Sequence, residues 1–186
     1  MKRLRLAVLA ISVFGVAVAQ ESPPGVGDNA RLSQEFQQRA TRYLDLRKQV
    51  AGKSIPQSNS PEAIAANQKE LASKIQKART AAKQGEIFAP DLVAFFRRQI
   101  AQSLNGPHGG EIRASLRHAE PTNGRLHVNQ GYPEKLPLQS TPTSMLLNLP
   151  SAPDGLEYRI VGRDLVLRDT EANIVVDFIP NVIPGT

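Results

Sequence analysis

The chain has 186 residues and no cysteine, with 23 Lys and Arg against 17 Asp and Glu, a formal net charge of +6 at pH 7. The length suits one domain, and the missing cysteine excludes disulfides, thiolate metal sites and a lipoprotein leader.

Lys2, Arg3 and Arg5 precede Leu6 to Val18, an almost wholly apolar run of thirteen residues. A bilayer-spanning helix needs roughly 20, so the run reads as a leader rather than a retained anchor. Ala17-Val18-Ala19 has the small-x-small pattern of a signal-peptidase site. The expectation is a signal peptide over residues 1–19, cleavage near Ala19–Gln20, and a periplasmic or secreted protein of 167 residues with net charge +3. Charge is uneven along that remainder. Residues 20–119 hold 15 basic and 9 acidic side chains, and residues 120–186 hold 5 and 8. Such asymmetry marks either an anionic partner or a solvated helical face.

Residues 20–119 read as a helical region. After the aperiodic QESPPGVG, Asp28 or Asn29 can cap a helix to about Ala51, with Leu32, Phe36, Tyr43, Leu46 and Val50 on one face. Ser60-Pro61 is a second start signal, and the helix is expected to reach about Lys83. Its apolar stripe is Ile64, Leu71, Ile75, Ala78 and Ala82, and Lys69, Lys74, Lys77, Arg79 and Lys83 make a basic outer side. The two helices suggest an antiparallel αα-hairpin. A third helix, Pro90 to Leu104, places Leu92, Phe95, Phe96, Ile100 and Leu104 at helical spacing. Its widened stripe makes it the expected lid over the C-terminal sheet. A short fourth helix from about Gly110 to Ala119 carries Ile112 and Leu116.

Residues 120–155 form a Pro-rich connector, with Pro133, Pro137, Pro142, Pro150 and Pro153 between Tyr132 and Pro153. Arg125 to Val128 is a candidate short strand, and Thr143 to Leu149 a helical turn packing Met145, Leu146 and Leu149 inward. Residues 156–186 hold three apolar runs broken at Gly162 to Asp164 and at Asp169 to Asn173, the pattern of an antiparallel β-meander. Strict alternation puts Tyr158, Ile160, Leu165, Leu167, Ile174, Val176 and Phe178 on one face. Glu157, Arg159, Arg168 and Asp177 fall on the other, which tolerates water, with Val161, Val166, Val175 and Ile179 among them. The fold class expected is α+β, with residues 20–186 forming one domain.

No catalytic constellation emerges. His108, His118 and His127 lie within twenty residues, and with Glu111 or Glu120 they suit zinc or nickel, yet their spacings fit no metal motif. Surface or capping histidines are the simpler reading. A serine nucleophile lacks its G-x-S-x-G elbow, and Ser115 and Ser144 stand in ordinary contexts. Asp164, Asp169 and Asp177 read as turn and solvent-face residues rather than a glycosidase pair. Gly106 to Gly110 lacks Walker spacing and reads as a helix break. Aromatics are sparse and no nucleic-acid module is present, so nucleic acid is not an expected partner.

Three segments, GEIFAPDLVAFFRR (85–98), HVNQGYPEKLPL (127–138) and LEYRIVGRDLVLRDTEANIVVDFIPNVIP (156–184), together resemble a group of uncharacterised secreted bacterial proteins, which implies export but neither an activity nor functional residues. YRIVGRDLVL…IVVDFI is also similar in layout to the C-terminal hairpin of small periplasmic proteins related to a nickel/cobalt-homeostasis regulator, without a metal-binding signature. The leading expectation is a non-enzymatic exported protein binding an envelope protein or an anionic envelope polymer. The alternatives are a metal-responsive periplasmic factor and an enzyme of unrecognised type. No catalytic, cofactor-binding or metal residue is assigned.

Overall fold

The structure is a computed structural model that describes residues 25–52, 60–117, 125–132 and 141–184. In chain order the elements are α1 (Val26–Ala51), α2 (Pro61–Ala78), α3 (Pro90–Asn105), α4 (Gly109–Arg117), α5 (Thr143–Leu146), β1 (Leu156–Val161), β2 (Asp164–Asp169) and β3 (Ile174–Ile179). The fold is α+β, with an antiparallel sheet in the order β1-β2-β3. Among the described residues no helix is long and apolar enough to cross a membrane.

On α1, Leu32, Phe36, Ala40 and Tyr43 are buried at spacings of three and four, one face of a helix. On α2, the Ser60 hydroxyl accepts from the Ala63 N–H at 3.4 Å and Pro61 opens the first turn. Arg39 of α1 reaches the Glu86 carbonyl, Tyr43 lies under Arg79, and Arg47 and Gln68 both reach the β2–β3 turn. Later α1 positions thus meet earlier α2 positions, so the pair is antiparallel.

The second helix ends at Ala78, not near Lys83. The Asn129 side-chain amide donates to the carbonyls of Arg79 at 3.0 Å and Gln76 at 3.4 Å, supplying donors that another helical turn would have provided. The expected stripe is cut short in consequence. Leu71 and Ile75 are buried, whereas Ile64 is 45% exposed and Ala78 is exposed. Arg79, expected on the basic outer side, is instead buried.

The aromatic centre forms as the α3 spacing predicts. Phe96 lies 5.3 Å from Phe36, 5.0 Å from Phe88, 5.6 Å from Phe95 and 5.9 Å from Tyr158 of β1, centroid to centroid. Edge-on and stacked aromatic pairs at these separations each contribute about 0.5–1.5 kcal/mol beyond area burial. The lid over the sheet is therefore shared by α1, the α2–α3 connection and α3. Met145 of α5 is fully buried and Leu149 nearly so, closing the same core. Gly109 makes the tight α3–α4 turn possible, since a Cβ there would stand 1.9 Å from the Leu104 carbonyl oxygen.

The sheet departs from strict alternation. Leu167 pairs with Asp177 and Arg168 with Val175, so Val176 is an extra residue in β3, a β-bulge. Residues directly paired share a face, so one extra residue inverts the side-chain pattern beyond it. Ile174, Val176 and Ile179 reach the main core, while Phe178 turns to the opposite face. Asp177 turns inward and is fully buried. This overturns the solvent-face reading of Asp177, the core reading of Phe178 and the placing of Ile179 on the second face.

The opposite face is not simply open to water. Tyr132, Val161, Val166 and Val175 form a second small cluster, with Leu126 and Phe178 against it. Arg125 to Val128 adopts no strand; residues 129–132 pair with β3 instead. The Asn129 N–H donates to the Val175 carbonyl at 2.8 Å, and the Val175 N–H to Gln130 at 2.9 Å.

Candidate functional site

The expected candidate residues do not converge. His108 and His127 are exposed, His108 faces Glu111 at 3.4 Å, and His118 and Glu120 lie outside the described residues. Among the described residues no three His, Cys, Asp or Glu side chains are grouped to hold a metal ion. Ser115 and Ser144 are half-buried on α4 and α5. Gly106 to Gly110 forms the break between α3 and α4.

The meander's aspartates have structural partners. Asp164 accepts from the Asn181 N–H at 2.8 Å. Asp169 is fully buried, a correction to its solvent-face reading, although its side chain does cap its turn through the N–H groups of Glu171 at 2.8 Å and Ala172 at 2.9 Å. Its second oxygen, Oδ2, accepts from the Tyr43 hydroxyl at 2.6 Å, while Arg47 pairs with Oδ1 at 3.2 Å. Asp177 accepts from the N–H groups of Gly85 at 3.0 Å, Ile87 at 2.8 Å, Phe88 at 2.9 Å and Phe178 at 2.8 Å. The two carboxylates fasten the core face of the sheet to α1 and to the α2–α3 connection.

Burial pushes the Asp177 carboxyl above its ordinary value, and its four N–H donors oppose that rise without cancelling it. The folded chain therefore holds this proton at a pH where the unfolded chain has released it. Stability contributed by the site is present below the ordinary Asp value of about 3.9 and is lost as pH rises through the raised one. The urea midpoint of the wild type, measured against Asp177→Asn, should fall across that window; a rising difference would contradict the assignment.

The polar feature left open is an arginine-lined cleft above this anchorage. Arg79 is 8% exposed, its guanidinium lies 5.0 Å from the Tyr43 ring centroid, and one nitrogen pairs with Glu86. Burial first, and then the Asp169 charge, raises the Tyr43 hydroxyl far above its ordinary value, so that hydroxyl keeps its proton and remains a donor. Asp169 thus orients Tyr43, and Tyr43 supports Arg79 through a cation–π contact. The other terminal nitrogen of Arg79, Nη1, is buried without a hydrogen-bond partner among the described residues.

Around Arg79 a cleft of about 490 Å³ is lined by Arg39, Arg42, Tyr43, Leu46, Glu86 and Ile87, among others. Arg39 is held by Glu35 at 2.9 Å and by the Glu86 carbonyl at 3.0 Å, whereas Arg42 is exposed. The cleft adjoins a shallow groove along α1 that takes in Arg31, Gln34 and Gln38 and shares Arg39 and Arg42 with it. The sequence pointed to this region only through its excess of basic residues, and assigned Arg79 to the wrong side of its helix.

Comparison with protein-family models, curated proteins and solved structures finds no match to this chain.

Proposed function

We propose that the protein is an exported, non-enzymatic binding protein whose arginine-lined cleft engages an anionic component of the cell envelope. The carrying observation is that Arg39 and Arg42 line one cleft with the buried Arg79, whose Nη1 has no partner among the described residues. A buried guanidinium with an unpaired donor is costly, and an anionic oxygen is the group that relieves it. Export rests on the basic and apolar N-terminal pattern and on the resemblance to secreted proteins.

The test is recovery from an envelope extract by the tagged mature protein, at low and raised salt. One dominant component, retained at low salt and lost as the screening length shrinks from about 10 Å at 0.1 M, is the expected result. A blank recovery, or retention indifferent to salt, counts against the proposal.

A further inference from the structure

We infer that the end of this cleft beyond α2 binds an acidic saccharide, a hydroxyl-rich sugar unit bearing a carboxylate. The inference rests on the anionic-partner reading and gives that partner's chemistry. On its far side Arg79 also lines a second cleft of about 620 Å³, with Gln76, Thr80, Ala82, Val128, Asn129, Gln130 and Gly131. The two clefts share Arg79, Thr80 and Ala82, so they adjoin. Its volume lies within the range of small-molecule sites, about 300–1,000 Å³.

Two residues of this lining carry buried polar atoms without partners, and the two are complementary. Among the described residues, Arg79 Nη1 is a donor lacking an acceptor, and Asn129 Oδ1 is an acceptor lacking a donor. Asn129 has no freedom to turn over, because its amide nitrogen is committed to the end of α2. A carboxylate satisfies the first atom and a hydroxyl the second, and an acidic sugar carries both a few bonds apart. Gln76, Thr80 and Gln130 each offer a donor and an acceptor, which suits further hydroxyls. Thr80 and Gln130 are exposed at the rim, where their side chains can move to admit a ring. Among the described residues the apolar side chains of the lining are Ala82 and Val128, which offer little to the apolar side chains of a bound peptide. Along a polymer, the next carboxylates meet Arg42 and Arg39. Glu86 pairs with Arg79 and Glu35 with Arg39, which keeps the cleft from being indiscriminately cationic.

The experiment is calorimetric titration of the mature protein with an oligogalacturonate, its carboxyl-reduced neutral counterpart and an oligoglutamate of equal charge. Saturable binding of the oligogalacturonate is expected, with the other two weaker by about tenfold or more, the value of one charge-assisted hydrogen bond. Arg79→Lys should weaken it similarly. Because Arg79 also supports the fold, the paired substitution Thr80→Ala and Gln130→Ala is the second arm: severalfold weaker binding at unchanged Tm. Equal binding of the oligoglutamate overturns the saccharide assignment in favour of an acidic peptide. Failure of the oligogalacturonate while the envelope component is still retained in a salt-dependent way overturns this inference alone. Failure of both removes the anionic-partner reading as well. Unchanged binding by the paired variant places the ligand elsewhere and overturns the assignment.

Discussion

Asp177→Ala should cost about 3–5 kcal/mol, among the largest losses available to a single substitution in this chain. The carboxylate takes four backbone N–H groups, three of them from the connection between α2 and α3. Alanine leaves buried donors with no acceptor, each costing about 1–3 kcal/mol unless the connection shifts toward water. For a chain of this size the loss corresponds to a drop in Tm of about 6–20 °C. Asp177→Asn keeps one oxygen but sets an NH₂ group against the same donors, and should lose less than alanine does. Thermal and urea unfolding read both variants. A loss below about 1 kcal/mol for alanine would mean that the connection is held by other contacts.

Phe96→Ala is the second large effect, by a different mechanism. The ring is fully buried and touches Phe36, Phe88, Phe95 and Tyr158, so it joins α1, the α2–α3 connection, α3 and β1. Removing it costs about 3–5 kcal/mol from lost burial and the cavity left behind. The cleft shares α1 and the α2–α3 connection with this cluster, Ile87 standing next to Phe88 and Arg39 one turn from Phe36, so the proposed retention by the cleft should weaken together with stability. Urea unfolding reads the first quantity and retention at a temperature well below the variant's Tm reads the second. A stability loss under about 1.5 kcal/mol would show that the four neighbours collapse into the space.

The two residues differ in how visible they are in the sequence. Phe96 belongs to a stripe with helical spacing, a signal contained within a few turns, and α3 forms where that spacing places it. Asp177 sits in a run whose alternation, read straight through, points it outward. Its inward direction depends on the single extra residue at Val176 and on partners about ninety positions earlier, and neither leaves a local mark. The end of α2 follows the same logic: the apolar and basic spacings continue to Lys83, but Asn129, fifty positions later, stops the helix at Ala78. Since Arg79 lies just past that end, its inward turn was hidden too. The cleft draws on α1, the end of α2 and residues 128–131, so composition could signal a basic region without drawing the site. The α+β class was legible because it needs only periodicity and turn residues; the anchors and the cleft were not, because they are tertiary.

The structural anchor and the proposed binding surface are connected. Asp169 ties the β2–β3 turn to Tyr43 and Arg47 of α1, and Tyr43 carries Arg79 on its ring. The sheet therefore sets the floor of the cleft, while Arg39 and Arg42 set its rim. Arg42 is the exposed member of that rim and is not used by the fold in any contact described above, so it can be reversed in charge at little structural cost.

That makes one comparison decisive: recovery from envelope extract by the wild-type protein, by Arg42→Glu, and by Lys48→Glu, an identical charge change on an exposed α1 residue outside the cleft. If the cleft is the binding surface, Arg42→Glu loses the envelope component at the salt where the wild type keeps it, and Lys48→Glu retains it. Equal loss by both variants would reduce the interaction to overall charge, and full retention by Arg42→Glu would contradict the cleft's role.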